Sequence, residues 1–241
     1  MLVSTACLIV TTGCVSGGTA SPSPSPSVNS SPKPEPTPAI SINNPADGEI
    51  VSVPVVMTGV ADTFEAALTV DALDESGDPL CVRHIMATSG SGTPGTWETT
   101  LAFPPQEAQI PATLRAYELS AKDGSMMNLV ERAITVSAER SPIIITTPAC
   151  GDRVAPGATL KVNGTALVFK AALTIELRDA SGVAMVKKNV MATSGSEESP
   201  WQTLLTIPAG LTVGMYDLVA FDFSAKDGSI QDEFSVQILV Q

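Results

Sequence analysis

Ser120-Ala121-Lys122-Asp123-Gly124-Ser125 returns letter for letter as Ser224-Ala225-Lys226-Asp227-Gly228-Ser229, 104 residues later. Two further phrases keep nearly that spacing. Met86-Ala87-Thr88-Ser89-Gly90-Ser91 recurs at residues 191–196, and Phe64-Glu65-Ala66-Ala67-Leu68-Thr69-Val70 recurs as Phe169-Lys170-Ala171-Ala172-Leu173-Thr174-Ile175, both offset by 105. Trp97 matches Trp201 at 104. A drift of one residue over so long an interval marks two whole domains in tandem, not a short-period solenoid. The 241 residues therefore contain two copies, 39–139 and 140–241, each large enough to enclose a core of its own.

Val, Ile and Thr dominate the apolar stretches, and long Ala/Leu/Glu/Lys runs are missing, which favours strands over helices. In the first copy the alternation predicts strands at 39–42, 55–61, 67–73, 80–87, 97–103, 112–119 and 129–137. The second repeats them at 143–146, 159–166, 172–178, 184–191, 201–207, 216–223 and 234–240. Seven strands per copy predict an all-β fold of two tandem immunoglobulin-like antiparallel β-sandwich domains. Turn chemistry agrees with that register. Asp123-Gly124 suits a hairpin between two late strands, Asp74-Glu75-Ser76-Gly77 and Asp179-Ala180-Ser181-Gly182 suit an earlier one, and Pro45 with Gly48, matched by Pro148 with Gly151, marks a bend after the first strand. The short join at 138–142 implies limited freedom between the copies.

The order of these pieces resembles the immunoglobulin-like domain of bacterial spore germination proteins. The resemblance runs from about Ala39 to Gln241 and is carried by the Pro-x-x-Gly bend, by Gly59-Val60-Ala61-Asp62-Thr63-Phe64-Glu65, by the Asp-x-x-Gly hairpin and by the duplicated late phrase. The second copy keeps Gly164, Ala166 and Phe169 but has Lys170 in place of the glutamate. The family implies a surface-exposed, non-catalytic domain and a link to sporulation or germination.

Residues 1–13 form a short apolar segment that reads as the end of a secretory signal. The Gly13-Cys14 step after Leu8-Ile9-Val10 resembles a bacterial lipobox, which implies acylation of Cys14 and a membrane anchor facing the extracytoplasmic side; a cleaved, freely secreted protein is the alternative. No Lys or Arg precedes the apolar run, so a start site upstream of Met1 is expected. Residues 14–38 are expected to be a disordered linker, and their 19–38 stretch holds seven prolines. At ~3.1 Å per residue in a polyproline conformation it would reach about 60 Å.

The net charge of -12 is unevenly shared: residues 39–139 carry 14 acids against 4 bases, and residues 140–241 carry 10 against 8. Neither copy offers a basic face for phosphates, so nucleic acid is not an expected partner. His84 is the only histidine and its counterpart is Asn189, which leaves no material for a histidine metal cluster, and no Gly-x-Ser-x-Gly elbow occurs. No enzyme activity and no cofactor are expected.

Asp71, Asp74, Glu75 and Asp78 form the densest acidic cluster, read as a solvated hairpin with calcium binding as the sharper alternative. Glu118 and Asp222 occupy equivalent positions four residues before Lys122 and Lys226, which predicts a local ion pair or, alternatively, a ligand-binding acid. Cys81 aligns with Val186, as a small buried hydrophobe would, and Cys150 aligns with Asp47; an oxidising exterior also permits a disulfide between these two unrepeated cysteines. Two functions follow: a cell-surface lipoprotein whose paired domains bind an extracytoplasmic protein or glycan, or a passive structural spacer of the envelope.

Overall fold

The computed structural model of the chain describes Gly13 and residues 38–241; the signal segment, Cys14 and the proline-rich linker expected from the sequence lie outside the described residues. The first copy contains β1 (Ile40–Asn44), β2 (Glu49–Val51), β3 (Val55–Ala61), β4 (Ala67–Asp74), β5 (Pro79–Met86), β6 (Gly95–Leu101), β7 (Ile110–Leu119) and β8 (Met126–Val136). The second contains β9 (Ile143–Thr147), β10 (Arg153–Val154), β11 (Thr159–Ala166), β12 (Ala172–Arg178), β13 (Ala184–Met191), β14 (Ser199–Thr206), β15 (Gly214–Phe223) and β16 (Ile230–Val240). Each copy is a sandwich of a three-stranded sheet, β1-β3-β6 or β9-β11-β14, and a five-stranded sheet, β2-β8-β7-β4-β5 or β10-β16-β15-β12-β13.

The expected seven strands become eight. The additions, β2 and β10, pair parallel with the last strand of their copy. Two or three residues cannot show an alternation, and their pairing depends on chain far away in sequence, so no local signal announces them. The final strands also begin earlier than the apolar pattern suggests, at Met126 and Ile230, because their first four residues are exposed on both faces.

Alternation explains the rest. Val55, Met57 and Ala61 of β3 point inward and are buried, while Val56 between them is exposed. Gly59 sits where β3 passes beneath the Trp97 ring, and a Cβ there would lie 2.0 Å from the Ser41 carbonyl oxygen and 2.5 Å from the ring. Gly164 meets Ile144 and Trp201 in the same way, at 1.8 and 2.9 Å. The repeated Gly and Trp are thus one packing device: only hydrogen lets the strand approach the indole and the neighbouring backbone together.

The two copies are joined well beyond the short linker. Cys81 of β5 is bonded to Cys150, which precedes β10. Arg83 Nη2 donates to Asp217 Oδ1 on β15 at 2.7 Å. Gln237 of β16 presents its amide to the backbone of His84: its Oε1 accepts the His84 N–H at 2.7 Å, and its Nε2 donates to the His84 carbonyl at 3.1 Å.

Candidate functional site

The three repeated phrases, far apart in sequence, converge at one end of each sandwich. In the first copy the turn Phe64–Ala66 links β3 to β4 with Glu65 at φ 54° and Ala66 at φ 60°, left-handed values that cost non-glycine residues of order 1–3 kcal/mol each. The Met86-to-Ser91 phrase holds it there. Ala66 O accepts the Ala87 N–H at 2.8 Å, Thr63 O accepts the Ser91 N–H at 2.9 Å, and the Ser91 hydroxyl accepts the Glu65 N–H at 3.0 Å. Gly90 lies flat on the turn, since a Cβ would come within 2.5 Å of Thr63 O and 2.6 Å of Ala66 N. In the second copy Lys170 and Ala171 take φ 58° and 55°, Ala192 N–H bonds Ala171 O, and Gly195 fills the role of Gly90.

The third phrase closes the hairpin between β7 and β8. Ser120 N–H reaches Ser125 O, Gly124 alone is left-handed at φ 73°, and the Asp123 carboxylate accepts the N–H and hydroxyl of Ser125. The Ser125 hydroxyl and N–H hold the Asp123 carboxyl below its ordinary range, and Ser229 does the same for Asp227. The phrase is turn architecture in both copies.

What this architecture displays is apolar. Phe64 and Met86 are 66% exposed, and their equivalents Phe169 and Met191 are 61% and 64% exposed. Leu119 and Met126, with equivalents Phe223 and Ile230, are exposed on the adjoining strands. Four positions therefore carry large apolar side chains into solvent twice over, against the usual burial of such residues. Phe64, Met86 and Leu119 line a groove of about 720 Å³ in the first copy, and Met191 and Phe223 line one of about 410 Å³ in the second. All seven residues lining the second groove, including Leu173, Asn189, Met191 and Phe223, are equivalents of residues lining the first. The first groove is also lined by Phe64, Glu65, Glu118, Ala121 and Met127, and Ala180 and Met215 of the second copy add a wall to it.

The sequence singled out other residues, and the structure separates them. Asp71 is buried on β4, where Arg115 Nε and Nη2 donate to its two oxygens at 2.8 and 2.6 Å and the Tyr117 hydroxyl donates at 3.0 Å. Burial, with the negative Asp71 beside it, pushes the Tyr117 hydroxyl up to about 12. Asp74 caps its own hairpin, its Oδ1 accepting the N–H groups of Ser76 and Asp78, while Glu75 and Asp78 are exposed. The four acids do not share a site, and among the described residues no group of three or more His, Cys, Asp or Glu is arranged to hold a metal ion.

The ion pairs expected from Glu118 to Lys122 and from Asp222 to Lys226 do not form among the described residues. Glu118 instead supports the left-handed turn, its Oε2 accepting the Phe64 N–H at 3.2 Å and its Oε1 accepting Asn128 Nδ2 at 2.6 Å. Asp222 is one methylene shorter and 2% exposed; Gln231 Nε2 reaches its Oδ2 at 3.2 Å, and Oδ1 has no partner. Burial accordingly raises the Asp222 carboxyl above its ordinary range. His84 shares a hydrogen bond between its Nδ1 and Thr69 Oγ1, and desolvation of the ring lowers its pKa below the ordinary value. Sequence reasoning missed the grooves, although a signal existed: Phe64, Met86 and their equivalents sit inside repeated phrases at positions that turn chemistry leaves open.

The family comparison agrees with the architecture. The family profile of the immunoglobulin-like domain of bacterial spore germination matches residues 39–125 and again residues 142–229. No curated protein matches the chain. Among solved structures, a four-domain ectodomain fragment of ICAM-5 is similar at 12% identity and a TM-score of 0.29, with 84% of this chain covered. The chain spans about half, 53%, of that fragment's length.

Proposed function

Since the chain belongs to the family of the immunoglobulin-like domain of bacterial spore germination, present in two copies, we propose that it is a non-catalytic bacterial cell-surface lipoprotein, anchored through Cys14, whose paired domains bind an extracytoplasmic protein or glycan in a process linked to sporulation or germination. One observation carries the binding reading: the same four apolar positions are exposed in both copies, and two of them, Met86 with Leu119 and their equivalents Met191 with Phe223, line the corresponding groove. A domain serving only as a spacer has no use for them, because exposed apolar patches favour self-association. Scaffolded loops and grooves of this kind are where immunoglobulin-like sandwiches present binding residues. No helix among the described residues is long and apolar enough to cross a membrane, so a lipid on Cys14 would supply the attachment.

The spacer reading draws on a different observation, the disulfide and ion pair that bind the copies into one body. Retention on isolated cell envelopes separates the two. The binding reading expects Phe64→Ser with Phe169→Ser to lower retention of the Cys14→Ala protein at least tenfold, whereas unchanged retention would leave the spacer. Protease treatment and glycan digestion of the envelopes then identify the partner's class. Membrane fractionation of Cys14→Ala tests the anchor, and full membrane retention of that variant would sink it.

A further inference from the structure

We propose that the free edge strand β13 of the second copy takes an extended acidic peptide segment of a protein partner, which adds a sixth strand to the five-stranded sheet. The inference rests on the binding reading above and narrows its partner to a protein. Its starting point is that β5 and β13 are equivalent edge strands with different neighbours.

In the first copy the edge is occupied, and the occupant shows what such an edge accepts. Gln237 gives the His84 backbone one acceptor and one donor, the two bonds an added strand would make. Next to it Asp217 sets a carboxylate against Arg83. Backbone pairing and an acid opposite a base are thus combined at one strand.

The second copy repeats the acceptor without an occupant among the described residues. Asn189 stands at the place of His84 and Lys188 at the place of Arg83, and Lys187, Lys188 and Asn189 are all exposed. His84 N–H and C=O face away from β4, and the matching registers Thr69↔His84 and Thr174↔Asn189 turn the Asn189 backbone away from β12. Residues two apart share that orientation, so Lys187, Asn189 and Met191 offer outward backbone groups with side chains on one face.

Charge selects the occupant. Lys187 uses one donor on Glu176 Oε1 at 3.0 Å and lies over the Phe221 and Phe223 rings at 5.9 and 5.8 Å, and Lys188 uses one donor on the Leu204 carbonyl at 2.8 Å, so each ammonium keeps further donors. Acidic residues fit opposite them. Beyond them the strand runs to Met191 and the groove with Phe223, where an apolar residue fits. A strand with two adjacent acidic residues opposite Lys187 and Lys188, and an apolar residue where it meets Met191, matches this edge.

The same lysines argue against a second copy of the chain. Antiparallel pairing of β13 with itself in the register centred on Lys187 and Lys188 would oppose lysine to lysine, which is destabilising. The first copy cannot supply its face to another chain either, because Thr113 and Ala133 stand where the second copy has Asp217 and Gln237.

The test uses the full, isotope-labelled chain and two end-blocked valine heptapeptides, one carrying two adjacent glutamates and one carrying two adjacent lysines at the same positions. Amide resonances of Lys187, Asn189 and Met191 should shift saturably and gain exchange protection with the glutamate peptide, and the lysine peptide should bind at least tenfold more weakly. Asn189→Pro removes an outward N–H that the sheet does not use and should abolish the effect, whereas Asn189→Ala should preserve it. Lys187→Glu with Lys188→Glu should weaken the glutamate peptide at least tenfold, a readout independent of the proline variant's folding. The inference is overturned if the glutamate peptide leaves β13 unshifted, if both peptides bind alike, or if these variants bind as the parent does. Envelope retention lost through Phe169→Ser but untouched by Asn189→Pro would overturn this inference and leave the binding reading standing.

Discussion

The strand that ends the five-stranded sheet is bonded to the other copy in the first copy and, among the described residues, is not in the second, although the two sheets share their strand order. Around β5 the changes are local: Cys81, Arg83 and His84 stand where β13 has Val186, Lys188 and Asn189. Those few positions convert an edge into a joint. The second copy changed its outer sheet face to match, with Asp217 and Gln237 replacing Thr113 and Ala133. Cores and turns stayed alike while the surfaces diverged, as expected if duplication preserved packing and left interfaces to specialise. The asymmetry also covers the ring of exposed apolar residues, since only the first groove gains a wall from its neighbour.

Substitutions made in parallel would break or sharpen the comparison. Gly59→Ala and Gly164→Ala should have the largest effects, each costing more than about 3 kcal/mol, because the new methyl group must displace backbone or indole. Calorimetry should find both copies equally intolerant; tolerance in one would mean that its tryptophan can move. Next comes Cys81→Ser with Cys150→Ser. A bridge spanning 69 residues contributes about 2–4 kcal/mol in the chain-entropy account, and its loss should split one unfolding transition into two. A single unchanged transition would show that the polar contacts alone hold the joint.

Smaller still should be the contrast between Arg83→Ala and Lys188→Ala. Removing Arg83 leaves Asp217 in a site where burial already raises its pKa, and the cost should be about 2–3 kcal/mol. Removing Lys188 from the open edge should cost under about 1 kcal/mol. Equal costs in denaturant titrations would contradict the difference between the edges.

The smallest effect concerns Glu118 and Asp222. Burial raises the folded-state pKa of Asp222, so the folded protein is penalised once that carboxyl ionises, and the penalty disappears as pH falls below its unfolded pKa. Asp222→Asn should therefore raise the melting temperature at pH 7 by the few degrees that about 1 kcal/mol produces in a chain of this size, with the gain shrinking toward pH 3. Glu118→Gln should lower it slightly, since the Phe64 N–H would face a weaker acceptor. Melting curves at both pH values check the signs.

Much of the fold was legible because its causes are local. Alternation placed fourteen of the sixteen strands, and Asp-Gly and Pro-x-x-Gly marked their corners. The strands that escaped, β2 and β10, owe their existence to the last strand of each copy. The acids were misread for a related reason. Asp71 looked like part of a surface cluster with Asp74, but its strand position turns it toward Arg115 and Tyr117, which approach from β7. Glu118 is expected to pair with Lys122 across the hairpin it precedes; its carboxylate reaches the Phe64 turn instead.

By itself the sequence determined that there are two copies, that each is a β-sandwich, and where their turns fall, since repetition, alternation and turn stereochemistry are properties of neighbouring residues. Tertiary structure alone decided which strand edge is closed, which carboxylates are spent on the scaffold, and where the repeated phrases gather to hold Phe64 and Phe169 in solvent. Those outcomes depend on groups tens of residues apart meeting within hydrogen-bonding distance, and no local pattern encodes such a meeting.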